Sequence, residues 1–338
     1  MLHADSARNR LVGIGLVSSA YLLFTLLDGS AKWLVGAMPV IMVVWLRFVM
    51  HAIIAGAVLF PIRGVSLVRS RYLRWHLVRA LMFVAMTGIN FWALQYLQLT
   101  VTSSIFFTVP IIIALASALV FGERLDAGRW VAILVGFAGV LVIVHPWSAE
   151  FHPAMLASLV NAVLYAIFML MTRRLAAYET PETIQYLPAV GAAVLLTPFA
   201  IAGWEWPDTW LEWTVVCLLG VFGAVGHQLL ALAHRYAPAS VIAPFLYQQV
   251  IYMALFGYLV FGDVPPAAVW TGAPIVIASG LYLFYRERRA GGCDKNFRAN
   301  CCKPECEIHR QVGASIERDR FRRRALEAGR LRLHQIFS

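Results

Sequence analysis

Long apolar runs dominate the chain, with short polar breaks between them. The runs lie near residues 11–34, 39–60, 76–97, 101–121, 129–145, 153–173, 184–202, 210–232, 240–261 and 267–285. A bilayer core of about 30 Å takes roughly 20 apolar residues in a helix, so the pattern predicts ten transmembrane helices. The first run is long and lacks a small-residue cleavage site followed by a polar stretch, so it reads as a span rather than a cleaved signal.

The polar breaks give the expected orientation. Arg8 and Arg10, then Arg63, Arg69, Arg71 and Arg74, then Arg124 and Arg129, then Arg173 and Arg174, then Arg235 fall in alternate breaks, ahead of a basic tail. The intervening breaks carry at most Lys32, and the one from Trp204 to Trp213 is acidic and aromatic, with Glu205, Asp208 and Glu212. Lys and Arg resist translocation and stay on the cytoplasmic side. An even number of spans is expected, in a bacterial inner membrane with both termini cytoplasmic.

Sliding the chain against itself by 140 residues exposes a repeat. Tyr96 falls on Tyr236, Thr100 on Ser240, Phe121-Gly122-Glu123 on Phe261-Gly262-Asp263, and Trp130 on Trp270. An offset of 144 pairs Tyr21 with Tyr165 and Phe24 with Phe168. Five spans is an odd number, so the second copy must cross in the opposite sense, and the break at 122–129 holds two Arg where its counterpart at 262–267 holds none. Inverted repeats of this kind recur in secondary transporters, where two pseudo-symmetric halves open a midplane site to alternate sides. The expected fold class is an all-α integral membrane protein: ten transmembrane helices as two inverted five-helix repeats around a central cavity. The expected repeats are 1–147 and 148–287, with a basic cytoplasmic tail, read as disordered, at 288–338.

Composition agrees with this reading. Hydrophobic residues make up 60% of the chain and charged ones 14%, against about 25% charged in a soluble domain. Residues 286–338 hold 14 of the 28 Lys and Arg against 7 of the 18 Asp and Glu, so most of the +10 net charge sits in the tail. Nucleic-acid binding does not account for the rest, because those cations lie in breaks between spans.

The run Trp92-Ala-Leu-Gln-Tyr-Leu-Gln-Leu-Thr-Val-Thr-Ser-Ser104, with Pro110, Phe121-Gly-Glu-Arg-Leu125 and Gly136-Phe-Ala-Gly139, resembles the EamA-type domain of the drug/metabolite transporter superfamily. Leu46-Arg47-Phe48, and Ala231-Leu-Ala-His-Arg-Tyr236 with Ser240, resemble the same pattern, and the two copies cover 11–285. The resemblance implies a cavity lined mainly by the first, third, fourth, sixth, eighth and ninth spans, with the fifth and tenth peripheral. It also implies export of amino acids, other metabolites or drugs, and one branch exports aromatic amino acids. Gly262-Asp263-Val-Pro-Pro266 departs from Gly-Glu-Arg-Leu in the first copy. The family carries no invariant catalytic residue.

Ionisable groups within spans are costly and face a cavity or a partner. Asp28 and Lys32 stand four apart on one helix face and can pair near the outer end of the first span; Asp28 is alternatively a proton or substrate site. Arg47 and His51 share another face and suit a polar interhelical network. Arg79 is placed to snorkel to the cytoplasmic surface. Gly220, Gly223 and His227 share a face open to close approach, and His227 is either a packing residue or a proton relay. Asp28 is the one carboxylate well inside a span, since Glu123 and Asp263 lie at helix ends. Either Asp28 or His227 couples transport to protons, or the substrate runs down its own gradient.

Mixed aromatic and polar faces mark the expected substrate cavity. Ser18, Tyr21, Thr25 and Asp28 form one in the first span, and Phe83, Thr87 and Asn90 another in the third. Ser104, Phe107 and Thr108 follow in the fourth, Asn161, Tyr165 and Phe168 in the sixth, and Tyr247, Gln248 and Tyr252 in the ninth. Rings supply apolar area while amides and hydroxyls orient a ligand; ordinary interhelical packing is the competing account. Little net charge on these faces argues against phosphorylated substrates. Pro110, Pro244 and Pro274 are expected kinks or hinges.

The tail offers Cys302, Cys306 and His309, a weak metal pattern without a fourth ligand, and an amphipathic stretch from Ile316 to Leu333. A basic segment touching anionic lipid is the expected role. An intramembrane enzyme would need H-E-x-x-H, G-x-S-x-G or paired aspartates, and none occurs. The sequence therefore points to an exporter of small neutral metabolites, foremost aromatic or hydrophobic amino acids, working by alternating access. The alternative is an exporter of drugs or other metabolites, proton-coupled through Asp28 or His227. Expected partners are a small-molecule substrate and the lipid bilayer, not nucleic acid, with the chain a monomer or homodimer; no cofactor and no metal is implied.

Overall fold

The computed structural model describes residues 7–121, 127–149, 151–175, 178–237 and 239–300. Two compact units result, Met1–Arg286 and Glu287–Ser338. Of the second, only the end of the last helix falls among the described residues. Cys302, Cys306, His309 and the stretch 316–333 lie outside them, as does Glu123.

In chain order the helices are α1 (Ala7–Leu34), α2 (Val40–Arg63), α3 (Leu73–Leu94), α4 (Leu99–Phe106), α5 (Val109–Phe121), α6 (Ala127–Val144), α7 (Pro153–Leu175), α8 (Pro181–Ala202), α9 (Trp210–Tyr236), α10 (Ala239–Ile242), α11 (Gln248–Phe256) and α12 (Ala267–Asn300). Among the described residues, eight helices are long and apolar enough to cross a membrane. The fourth and ninth runs are instead interrupted, leaving the shorter apolar helical stretches Leu99–Ile113 and Phe245–Phe261.

The interruptions have local causes. Pro110 has no N–H, so the Phe106 carbonyl loses its donor four residues on, and its ring crowds the preceding turn. The chain turns at Phe107 and Thr108 between α4 and α5. Thr102, Ser103 and Thr108 return their hydroxyls to the carbonyls of Leu99, Thr100 and Ile105 at 3.0, 3.1 and 2.7 Å, contacts that bend helices. In the ninth run a 3-10 turn from Ala243 to Tyr247, with Pro244 near its start, joins α10 to α11. A π-helical turn, Gly257–Phe261, follows and ends at Gly262 with φ 68°. That left-handed backbone suits glycine.

Helices of the first half pack chiefly on helices of the second: α1 on α9 and α11, α2 on α8 and α9, α3 on α7 and α8, and α4 and α5 on α7. Small residues allow the approach. A Cβ at Gly220 would collide with Met50 on α2, one at Gly223 would crowd the His51 ring, and one at Gly29 would run into the Phe256 ring. Gly136 and Gly139 of α6 receive Ser279, Ile275 and Val276 of α12, where Ser279 also donates to the Ala132 carbonyl at 2.6 Å. The outer faces of these two helices carry exposed Val131, Leu134, Phe137, Trp270 and Tyr282.

Arg79 departs from the snorkelling expected of it. It is buried, lies over the Phe168 ring at 4.5 Å, and donates to the Ile184 carbonyl at 2.7 Å and the Thr172 hydroxyl at 3.1 Å. The reason is Pro188: a proline in α8 leaves the carbonyl four residues back without its helical donor, and that carbonyl belongs to Ile184. Arg79 supplies the missing hydrogen.

Candidate functional site

A cavity of about 170 Å³ lies between the two halves. On α1 the positions Tyr21, Phe24, Leu27 and Asp28 recur at helical spacing and face it together. Arg47 enters from α2, and α3 contributes Phe83, Met86, Thr87, Asn90 and Phe91. The end of α4 adds Thr102, Ser103 and Phe106, α7 adds Asn161 and Tyr165, α9 adds His227 and Leu230, and the interrupted ninth run adds Leu246, Gln249 and Met253. None of the lining residues comes from α6 or α12.

Rings form much of the wall. His227 lies 4.9 Å from Phe24 and 5.9 Å, nearly perpendicular, from Phe83, and the Phe106 and Tyr165 rings are 4.8 Å apart. Behind His227 stands His51, at 5.9 Å. Polar groups break this surface at a few points. Asn90 donates to Asp28 Oδ1 at 3.0 Å, and Arg47 reaches the Thr87 hydroxyl at 3.4 Å while its guanidinium lies over the Phe48 and Phe83 rings at 4.6 and 5.0 Å. The Asn161 Oδ1 atom and Arg47 Nε are buried without a partner among the described residues. No cluster of three His, Cys, Asp or Glu gathers among the described residues.

The structure brings Tyr21, Asp28, Arg47, Phe83, Thr87, Asn90, Asn161, Tyr165 and His227 to one cavity. Other candidates stand behind its wall. Thr25 is fully buried and returns its hydroxyl to the Tyr21 carbonyl at 3.0 Å. Ser104 is fully buried, and Phe107 packs edge-on against Tyr247 at 5.0 Å. Phe168 supports Phe83 at 5.6 Å, while Gln248 accepts from Ser18 at 3.0 Å and donates to Tyr252.

Lys32 does not pair with Asp28. Its ammonium meets Asp263 Oδ2 at 2.6 Å and lies over the Phe261 ring at 4.8 Å. Helical spacing put Asp28 and Lys32 on one face, but Asn90 holds the carboxylate within the cavity, and the turn at Gly262 delivers a competing acid.

Sequence reasoning missed Ser103, Phe106 and Gln249 by one position each, choosing Ser104, Phe107 and Gln248. In the ninth run the 3-10 turn from Ala243 to Tyr247 advances about 120° per residue instead of about 100°, which shifts the face that follows it by part of a residue step. Pro110 and Pro244, the expected kinks, mark the two interruptions.

Helices of membrane length gathered around a lined cavity define a membrane carrier. The chain belongs to the EamA-like transporter family, whose model matches twice, at residues 11–145 and 152–285. It is 32% identical over 235 residues to a riboflavin transporter of Vibrio cholerae, covering 68% of this chain and 77% of that one. It is 25% identical over 290 residues to an S-adenosylmethionine uptake transporter of Rickettsia bellii, covering 85% and 98%. A crystal structure of another protein shares the fold with a TM-score of 0.57 at 20% identity, over 82% of this chain and 98% of that chain.

Proposed function

We propose that the chain carries a neutral, planar heteroaromatic metabolite of the riboflavin class across the bacterial inner membrane. In this reading ten crossings form two inverted five-helix repeats, both termini are cytoplasmic, and the halves exchange conformations around the cavity. One observation carries the substrate class. Phe24, Phe83, Phe106, Tyr165 and His227 offer ring faces and edges, while Asn90, Asn161, Gln249 and Thr102 offer amide and hydroxyl groups between them. A planar ring system with polar edges matches that alternation. The similarity to the Vibrio protein supports it, whereas the relatives described above carry no amino-acid exporter's name.

Purified protein in liposomes tests this. Saturable counterflow of labelled riboflavin, absent from empty vesicles, is the expected result; its absence overturns the reading. Orientation is tested separately in a background with all five cysteines, Cys217, Cys293, Cys301, Cys302 and Cys306, replaced by serine. Single cysteines at Ser70 and Ser148 should react with an impermeant thiol reagent from opposite sides of the membrane.

A second reading, export of aromatic or hydrophobic amino acids, is favoured by the opposite charges of Asp28 and Arg47, which match a zwitterion. Saturable phenylalanine or tryptophan counterflow without riboflavin flux would establish it.

A further inference from the structure

The two charges in the cavity are held apart. Asp28 and Arg47 are opposite in formal charge and line the same space. Yet among the described residues no ion pair within 4 Å joins them. In a site with little water such charges attract strongly, so something must restrain each of them.

Each has a restraint. Asn90 of α3 anchors one oxygen of Asp28. Thr87, one helical turn earlier on α3, takes Arg47 Nη1, and the rings of Phe48 and Phe83 lie against the guanidinium. Helix α3 therefore fixes both groups. What remains is the second oxygen of Asp28, which takes no hydrogen bond among the described residues, and Arg47 Nε, which is buried and unpartnered. A buried polar group left unmatched is costly, and a cavity that fixes an acceptor and a donor in this way asks for a ligand presenting the reverse pair.

We infer that Asp28 and Arg47 are the specificity-determining pair of the cavity, together reading an N–H beside a C=O on one edge of the substrate ring, as in an imide or lactam. The N–H donates to Asp28 and the carbonyl accepts from Arg47. One free oxygen on Asp28 matches one N–H; an ammonium group would bring three. The inference rests on the riboflavin-class reading, since the isoalloxazine ring carries such an imide, and it adds which residues recognise that edge.

The test compares riboflavin with its N3-methyl derivative, which keeps the ring and side chain and blocks the one donor. In wild-type proteoliposomes N3-methylation should raise the half-saturation concentration about ten- to a hundredfold, the range for a hydrogen bond to a charged group. Asp28→Leu should raise it similarly for riboflavin and abolish discrimination between the two compounds. Asp28→Asn keeps the size of the side chain but has one oxygen, which Asn90 takes, and turns an NH2 toward the substrate N–H; it should lose discrimination as the leucine variant does, and an unchanged melting temperature in this isosteric variant controls for misfolding. Equal handling of both compounds by the wild type overturns the inference while leaving riboflavin transport standing. Undiminished discrimination in Asp28→Leu overturns it as well. Absence of riboflavin flux overturns both this inference and the reading beneath it.

Discussion

Arg79 shows how one side chain can complete a helix that another residue has damaged. The Ile184 carbonyl loses its donor to Pro188 and regains one from α3, so Arg79→Met should lower the melting temperature in detergent by several degrees, a loss of about 2–3 kcal/mol. Pro188→Ala restores an N–H to α8, and the Arg79→Met penalty should shrink in that background. Equal penalties in both backgrounds would refute the account. Gly29 offers a second check. Any side chain there meets the Phe256 ring, so Gly29→Val should destabilise by about 1–3 kcal/mol in the same melting assay. Nine of the twenty residues lining the cavity were legible one at a time, because positions such as Tyr21 and Asp28, or Asn161 and Tyr165, keep helical spacing within uninterrupted helices. The partner of Lys32 was not legible. Asp263 lies 231 positions away, and spacing within one helix says nothing about which acid a distant turn brings up.

At the scale of elements, hydropathy found the eight long spans because each needs only enough apolar length to cross the bilayer. It did not find the interruptions, which depend on backbone hydrogen bonding that apolarity does not report. The break at Phe107 and Thr108 should close if its cause is removed: Pro110→Ala restores a donor to the Phe106 carbonyl, straightens the junction and turns Phe106 away from the cavity. Counterflow should fall at least tenfold with melting temperature unchanged or raised, the reverse of simple damage. The contact between Lys32 and Asp263 ties α1 to the turn after α11 one helical turn from Asp28. If opening the cavity at that end separates them, a Lys32→Cys, Asp263→Cys pair in a background lacking the native cysteines, joined by a short cleavable dithiol-reactive crosslinker, should stop counterflow, and cleavage of the linker should restore it. Unimpaired flux in the crosslinked protein would show that this end stays closed throughout the cycle.

Across the whole molecule the repeat visible in the sequence misleads in one respect. Two matched halves suggest two bundles placed side by side, but the principal interfaces run between halves, from α1 to α9, from α2 to α8 and α9, and from α3 to α7 and α8. The cavity lies in that shared interface, with α1 to α4 supplying one part of its wall and α7, α9 and α11 the other. Neither residues 1–147 nor 148–338 expressed alone should therefore show counterflow of whatever substrate the full chain carries, whereas the two fragments made together should recover a measurable fraction of it. Activity from either fragment alone would contradict the interlocked arrangement.

The same long-range contact between Lys32 and Asp263 sets a timetable for biosynthesis. A ribosome adding roughly 5–20 residues per second reaches residue 263 roughly 12 to 46 seconds after residue 32. During that interval α1 sits in or beside the translocation machinery with its ammonium unneutralised and its face for α9 uncovered. A chain truncated before residue 263 would keep α1 but lack the acid that meets Lys32 in the finished fold.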